Sequence, residues 1–239
     1  MTVRLLVTRP EEDAEDTAAA LRARGHDVLV APLLQIESLP VKLGTGPWAA
    51  VLLSSANGAR ALAAHARRHE MIRLPAFTVG RNSAEAARAT GFVQVLAANG
   101  DADDLVALAA TRLAGSVLPL LYWAGETRSA DIAGALAARG LKVETVVGYR
   151  AVAAHALAAP AAAAIADGTL DGVLHFSPRS ATIFADLVKA AGLLDSALNC
   201  FHYCLSARVA ASLRAAGATR IRVAPHPEER SLLDLIGSP

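Results

Sequence analysis

Hydroxyl, amide and glycine residues recur at five positions where an apolar strand pattern gives way to a helix pattern. The five turns are Ser54–Asn57, Gly80–Ser83, Gly125–Arg128, Ser177–Ser180 and Ser206–Arg208. A strand-to-helix turn presents unpaired backbone N–H groups together with the positive end of the helix dipole. The pattern therefore predicts a chain with many anion-binding donors rather than one strong nucleophile.

Arginines accompany these turns, and a guanidinium forms charge-assisted hydrogen bonds with carboxylates. We predict that the ligand-binding residues are Arg9, Ser54, Ser55, Asn57, Gly80, Arg81, Asn82, Ser83, Gly125, Arg128, Ser177, Arg179, Ser206 and Arg208. The same residue types also suit a purely structural interpretation, in which the serines and asparagines cap helices and the arginines are solvated.

Other chemistries are poorly supported. The seven histidines are scattered without metal-ligand spacing, and Cys200 and Cys204 form no paired CxxC motif, so we expect no metal and two reduced thiols of a cytoplasmic protein. The GxGxxA text at Gly44–Ala49 precedes a strand, whereas a dinucleotide-binding turn follows one. A dinucleotide-dependent enzyme is therefore poorly supported.

Charge and hydropathy give no support to two classes of partner, although a local basic cleft for nucleic acid stays open. A formal net charge of +1 gives no general attraction to nucleic acid. The most apolar tract, Ala153–Ala166, is interrupted by His155 and Pro160 and is shorter than the roughly 18 apolar residues that suggest a bilayer span. We expect no signal peptide, no membrane partner, a small-molecule ligand and a monomer.

The elements that must position these turns alternate regularly between strand and helix. The pattern predicts, among others, helices at Asn57–His69 and Arg128–Arg139 and a strand at Val117–Tyr122. Such alternation is typical of an α/β fold with parallel sheets and helices on both faces. Because the carboxyl ends of parallel strands share one edge of a sheet, all five turns are expected at ligand-binding edges.

Two apolar runs are long for single strands. Lys142–Val152 exceeds the usual five or six residues, and Val28–Leu39 continues past Pro32 into Leu34–Leu39. We interpret both as crossings between two domains that pair as a two-stranded ribbon hinge. Tyr149 is then expected at the mouth of the cleft between the domains.

Internal repeats indicate how the domains are connected. Leu5–Gly25 aligns without gaps on Leu120–Gly140, and Val79–Gly91 aligns on Leu205–Gly217. The order of the repeats predicts two similar domains, each with a parallel sheet flanked by helices. The first is discontinuous and comprises 1–36 and 151–239, and the second is inserted at 37–150.

Short motifs along nearly the whole chain resemble those of the uroporphyrinogen-III synthase family. They are VTRP at Val7–Pro10, PLLQIE at Pro32–Glu37, LSSANG at Leu53–Gly58, VGRNSA at Val79–Ala84, GDADDL at Gly100–Leu105, VGYRAV at Val147–Val152 and HFSP at His175–Pro178. The resemblance implies an enzyme without a cofactor that cyclises linear hydroxymethylbilane to uroporphyrinogen III, inverting one pyrrole ring and losing water. A substrate with eight carboxylates suits the donor-rich turns.

The resemblance also implies that Tyr149 is the catalytic proton donor for the leaving hydroxyl, since a phenol can donate without being ionised. A tyrosine with only a packing role is the competing interpretation. Three residues depart from the family pattern: Glu126, Ser206 and Val209. They leave a second function open, namely a catalytically weak or silent tetrapyrrole-binding or regulatory homologue with the same fold.

Overall fold

The computed structural model describes residues 2–128 and 130–236, and it contains eleven strands and eleven helices in this part of the chain. The strands are β1 Arg4–Val7, β2 Asp27–Val30, β3 Leu34–Ser38, β4 Val51–Leu53, β5 Ala76–Thr78, β6 Val95–Ala97, β7 Leu120–Gly125, β8 Val143–Ala153, β9 Gly172–His175, β10 Phe201–Cys204 and β11 Ile221–Val223. The helices are α1 Glu11–Ala23, α2 Ala56–Ala63, α3 Arg68–Met71, α4 Arg81–Thr90, α5 Ala102–Arg112, α6 Ile132–Ala137, α7 Ala159–Ala166, α8 Pro178–Ala190, α9 Leu194–Leu198, α10 Ala207–Ala215 and α11 Glu229–Asp234.

The chain divides into two compact units, which we call unit 1 (Met1–Gln35 and Val152–Pro239) and unit 2 (Ile36–Ala151). The two boundaries fall inside β3 and β8. No helix among the described residues is long and apolar enough to cross a bilayer.

Unit 1 is built on a five-stranded parallel sheet in the order β11-β10-β9-β1-β2. One face of this sheet packs on a cluster around Leu6, Val173 and Phe184, and the other on a cluster around Leu5, Leu174 and Tyr203. Because both faces are covered, the central strands β10, β9 and β1 are mostly apolar, and the two histidines on them, His175 and His202, are fully buried.

Unit 2 contains a six-stranded sheet in the order β3-β8-β7-β4-β5-β6, in which β8, β7, β4, β5 and β6 run parallel. The first face of this sheet carries a core around Leu53, Trp123 and Val146, which we call the Trp123 face. The second carries a core around Leu52 and Leu136, which we call the Leu136 face. The predicted α/β class with parallel sheets and flanking helices is confirmed.

Two predicted helices were wrong in extent. The single helix predicted at Asn57–His69 is two helices, α2 and α3, and the backbone N–H of Arg67 donates to the His65 Nδ1 atom in the turn between them (3.1 Å). The helix predicted from Arg128 begins only at Ile132, where the carboxylate of Asp131 caps it. A side chain that satisfies a backbone group locally competes with continued helix, which explains both boundaries.

The strand predicted at Val117–Tyr122 lies three residues further along the chain as β7. Its pairing with β8 continues to Gly125, and that long-range ladder overrides the local turn tendency of the glycine. Helix α9 was not predicted.

Candidate active site

The site begins where β4 ends, because successive residues of a strand point to opposite faces of the sheet. Ser54 and Ser55 directly follow β4, so their hydroxyls lie on different sides. Ser55 caps α2 by accepting a hydrogen bond from the backbone N–H of Gly58 (3.1 Å). The capping interaction holds the Ser55 hydroxyl at the carboxyl edge of the sheet.

Tyr149 reaches Ser55 because of an irregularity in β8. The register pairs Ala124 with Val147 but Gly125 with Tyr149, so Gly148 is an extra residue. A one-residue bulge reverses the facing of every later side chain in the strand. Val146 lies on the Trp123 face, and the bulge returns Tyr149 to that same face.

The Tyr149 and Ser55 hydroxyl oxygens are 2.6 Å apart. Glycines make room for the phenol ring. A Cβ atom on Gly125 would lie 2.9 Å from Tyr149 Cζ and 3.0 Å from its oxygen, and one on Gly58 would lie 3.4 Å from Cε1. Only a residue without a side chain at position 125 accommodates the ring where it lies.

Burial raises the pKa of the Tyr149 phenol above its ordinary value, and the hydrogen bond with Ser55 opposes part of this shift. Tyr149 is 8% exposed. The phenol therefore keeps its proton at neutral pH. The two hydroxyls carry two hydrogens and share one in their mutual bond, so the second is free for a ligand.

A second hydroxyl pair lies on the Leu136 face of the same sheet. The Ser54 and Tyr122 oxygens are 3.0 Å apart, and the ring of Tyr122 is 2% exposed. The sequence did not single out Tyr122 as a site residue. No sequence signal identified it, because the pairing that sets Tyr122 in register with Leu52, two residues before Ser54, is a tertiary feature.

The turn at Gly80–Ser83 supplies backbone donors. Helix α4 begins at Arg81 with Gly80 as its cap and has no side-chain cap, so its first N–H groups stay available. Arg81 and Asn82 are exposed, whereas Ser83 is buried. A Cβ atom on Gly80 would lie 3.4 Å from the Cα atom of Gly100, which keeps this turn compact.

The turn at Gly125–Arg128 is not the start of a helix, contrary to the prediction. Gly125 is a buried β7 residue beneath Tyr149, and the backbone N–H of Glu126 donates to the Tyr149 carbonyl (2.9 Å). Arg128 is exposed and lines a cavity of about 470 Å³. The helix that was predicted to begin at this turn begins at Ile132 instead, so the positive end of its dipole lies there.

Serines cap both helices that were predicted to follow donor turns in unit 1. Ser177 accepts from the backbone N–H of Ser180 (3.1 Å), and Ser206 accepts from that of Val209 (3.4 Å). Arg179 and Arg208 are exposed in the first turns of α8 and α10. Asn57, in the first turn of α2, accepts a hydrogen bond from the Arg60 guanidinium (3.2 Å).

Arg9 differs from the other predicted arginines because its guanidinium is bound internally. It lies 2.9 Å from a Glu229 carboxylate oxygen and 3.4 Å from one of Asp13, and it stacks over the Phe176 ring at 4.3 Å. Only 11% of the side chain is exposed. A ligand carboxylate would have to compete with Glu229 for this arginine.

The structure thus brings Ser54 and Ser55 together with two tyrosines, and it places the remaining predicted residues at turns of one unit or the other. The described residues contain no cluster of histidine, cysteine or carboxylate side chains that could hold a metal ion.

Comparison with known proteins assigns the family. The family model of uroporphyrinogen-III synthase HemD matches residues 15–234. The fold matches a solved uroporphyrinogen-III synthetase from Helicobacter pylori with a TM-score of 0.65 and 14% identity over 99% of this chain and 98% of that one. It also matches a mutant uroporphyrinogen III synthase from Thermus thermophilus, with a TM-score of 0.55 and 17% identity over 98% and 97% of the two chains. No curated protein sequence matches.

Proposed function

Because the chain belongs to the uroporphyrinogen-III synthase family, we propose that Tyr149 is the proton donor of its cyclisation reaction. Enzymes of this family are lyases of tetrapyrrole biosynthesis, and this chain cyclises hydroxymethylbilane to uroporphyrinogen III. The observation that supports the role of Tyr149 is its 2.6 Å contact with Ser55 at the carboxyl edge of the sheet.

The first chemical step is the loss of the terminal hydroxyl. The C–O bond breaks, the electron pair of the pyrrole nitrogen moves into the ring system, and the leaving oxygen departs as water with the Tyr149 proton. For this step Ser55 donates to Tyr149, which leaves the phenol hydrogen free for the substrate. The Ser55 Oγ atom still accepts from Gly58, so the serine keeps a fixed position.

The second step forms the ring-closing bond. Inversion requires a bond to break as well as bonds to form. The substituted α-carbon of the terminal pyrrole attacks the azafulvene to give a spiro intermediate, the bond from that carbon to its methylene bridge then breaks, and the methylene becomes a new azafulvene on the third ring. The free α-carbon of the turned ring attacks this methylene, and the proton it loses on regaining aromaticity returns to Tyr149. Atoms and charge balance with water as the only product besides the macrocycle. Folding the substrate so that the correct carbon meets the cation is a proximity effect, which supplies most of the rate enhancement.

The substrate carboxylates call for donors that are already oriented. In unit 2 we assign this role to the uncapped start of α4, with Arg81, Asn82 and Ser83. Ser177, Arg179, Ser206 and Arg208 of unit 1 stay predicted carboxylate-binding residues. Nothing in the described residues favours the catalytically silent homologue, since the Ser55–Tyr149 pair is complete.

Two further properties belong to this proposal. We place the enzyme in the cytoplasm, which the two free, buried cysteines support. We also propose that it acts as a monomer, because one chain supplies the whole Ser55–Tyr149 pair. Light scattering coupled to size-exclusion chromatography should give the mass of one chain, 24.6 kDa.

The decisive assay is analysis of the product isomers after addition of freshly made hydroxymethylbilane. This substrate closes spontaneously to the symmetrical isomer I, so isomer III reports the enzyme. We expect Tyr149→Phe to lower kcat by roughly 10²–10⁴-fold, the usual contribution of general acid catalysis, while the product remains isomer III. Tyr203→Phe, which removes a hydroxyl from β10 of unit 1, is the matched control and should keep wild-type kcat.

A loss below about threefold in Tyr149→Phe removes the phenol from the mechanism, because general acid assistance is worth far more. If the wild-type chain yields only isomer I at the spontaneous rate, the departures at Glu126, Ser206 and Val209 become the first residues to revert.

A further inference from the structure

The Leu136 face of unit 2 carries a cavity that the reaction at Tyr149 does not use. Its volume is about 470 Å³. Its described lining residues are Tyr122, Arg128, Ala130, Asp131, Ile132, Ala133 and Thr145. Tyr122 and Thr145 are register partners on β7 and β8, so both lie on the same face of the sheet. Tyr149 is on the opposite face, because the bulge at Gly148 reverses its direction.

One of the two hydroxyl hydrogens of Tyr122 and Ser54 has no hydrogen-bond acceptor among the described residues. Tyr122 and Ser54 carry two hydroxyl hydrogens and share one over 3.0 Å. No described residue accepts the second. The Tyr122 ring is 2% exposed and is held by the core around Leu136, so its hydroxyl has a fixed position. A fixed donor with an unused hydrogen suits an acceptor brought by a ligand.

The described lining carries one guanidinium and one carboxylate, and only the carboxylate has a bond within the described part of the protein. Arg128 is exposed, and no carboxylate among the described residues forms an ion pair with its guanidinium. Asp131 is the only acidic lining residue among those described, and its carboxylate accepts the backbone N–H of Gly134 (2.9 Å) as the cap of α6. The Asp131 carboxylate is therefore already hydrogen-bonded within the protein, whereas the Arg128 guanidinium can bind a carboxylate brought by a ligand.

We propose that this cavity is a subsite for one acid-bearing pyrrole of the substrate, and that Tyr122 is a specificity-determining donor to its carboxylate. The inference rests on the proposed function and deepens it. Arg128 supplies the charge, and the Tyr122–Ser54 pair supplies a neutral hydrogen bond whose direction is fixed.

The volume is consistent with a single ring. A volume of about 470 Å³ lies in the lower part of the roughly 300–1,000 Å³ that is usual for ligand-binding clefts. This space accommodates one pyrrole with its acetate and propionate chains but not four such rings. The subsite therefore holds one end of the linear substrate while another part reacts.

The test compares Tyr122→Phe with wild type and with Tyr203→Phe. A neutral hydrogen bond present in both ground state and transition state raises KM when it is removed, and we expect an increase of about three- to tenfold in KM for Tyr122→Phe. For Tyr122→Phe we expect kcat within twofold of wild type and isomer III as the product. For the control Tyr203→Phe we expect an unchanged KM. An unchanged KM in Tyr122→Phe, with isomer III still formed, overturns the subsite and leaves the proposed function standing.

A purely structural role for Tyr122 gives a different result, in which kcat and the melting temperature fall while KM stays constant. Arg128→Gln combined with Tyr122→Phe separates the two cases further. Two residues that bind the same carboxylate should show non-additive effects on KM in the double variant. Additive effects would mean that the residues act on separate groups, and would overturn the assignment.

Binding can also be measured without turnover. A monopyrrole with one acetate and one propionate chain should bind wild-type protein in calorimetric titrations, and Tyr122→Phe should weaken that binding by about the same three- to tenfold factor. Equal affinity for both proteins overturns the subsite. Absence of isomer III from the wild-type chain, with the monopyrrole still bound through Tyr122, contradicts the proposed function alone.

Discussion

Gly125→Ala should displace the Tyr149 ring, because the added Cβ atom occupies the space that the ring now fills. The new atom would lie 2.9 Å from Tyr149 Cζ, whereas ordinary contacts begin at 3.4 Å. The ring must therefore move by roughly 0.5 Å, or β7 must shift against β8. Either movement lengthens the 2.6 Å contact with Ser55.

The expected magnitude follows from this displacement. Misplacing a reacting group by 1 Å costs about 10²-fold in rate, so half that distance predicts a loss of about tenfold in kcat. Overpacking a core costs about 1–3 kcal/mol of unfolding free energy. Gly58→Ala is the matched control, because its Cβ atom would approach the same ring only to 3.4 Å. We expect less than a threefold change in kcat for that variant.

The assay is isomer-resolved turnover, combined with chemical denaturation, in the wild-type and Tyr149→Phe backgrounds. If Gly125→Ala acts through the phenol, it should cost little extra rate once the hydroxyl is absent. Wild-type kcat in Gly125→Ala, or the same tenfold loss in both backgrounds, would falsify the assignment of Gly125 as the residue that positions Tyr149.

Three further predictions concern stability and binding. His202 is buried against His175, with ring nitrogens 3.1 Å apart, and burial lowers the pKa of His202 to about 4. The unfolded chain takes up this proton near pH 6.5, so His202 alone should cost the wild-type protein about 3 kcal/mol of unfolding free energy as pH falls from 6.5 to 4. Burial also lowers the pKa of His175, so His202→Gln should reduce, without abolishing, the fall in the urea midpoint over this range. Ser177→Ala removes the cap of α8 and should lower kcat/KM several-fold, with about 1 kcal/mol of unfolding free energy lost. A kcat/KM equal to that of wild type in this variant would exclude a substrate-binding role for Ser177. Glu144→Gln weakens the 2.6 Å bond from the Trp48 indole and should cost about 1 kcal/mol in thermal denaturation without changing kcat.

Much of the fold was predictable because its signals are local. The alternation of apolar strands and alanine-rich helices indicated an α/β fold, and Ser55, Ser177 and Ser206 were recognisable at helix starts because a cap bonds the backbone only three residues away. The error at Arg128 has the opposite origin, since β7 extends to Gly125 through pairing with a distant strand.

The candidate site was predictable only in part. Family motifs pointed to Tyr149 and to the serine turns, but no local pattern linked Tyr122 with Ser54 or showed that Glu229 holds Arg9. These contacts join residues separated by 68 and 220 positions. Sequence periodicity carries no information on such pairs.

The sequence by itself determined the element types, the capping serines and the family, because each depends on neighbouring residues or on an ordered series of motifs. The tertiary structure alone decided which hydroxyls meet. The bulge at Gly148 reverses the facing of β8 after one residue, and through it Tyr149 reaches Ser55. The register of β7 on β4 separately brings Tyr122 to Ser54 on the other face. Register in a parallel sheet is set by long-range ladders and by core packing on both faces, and a shift of one residue exchanges the two faces of a strand.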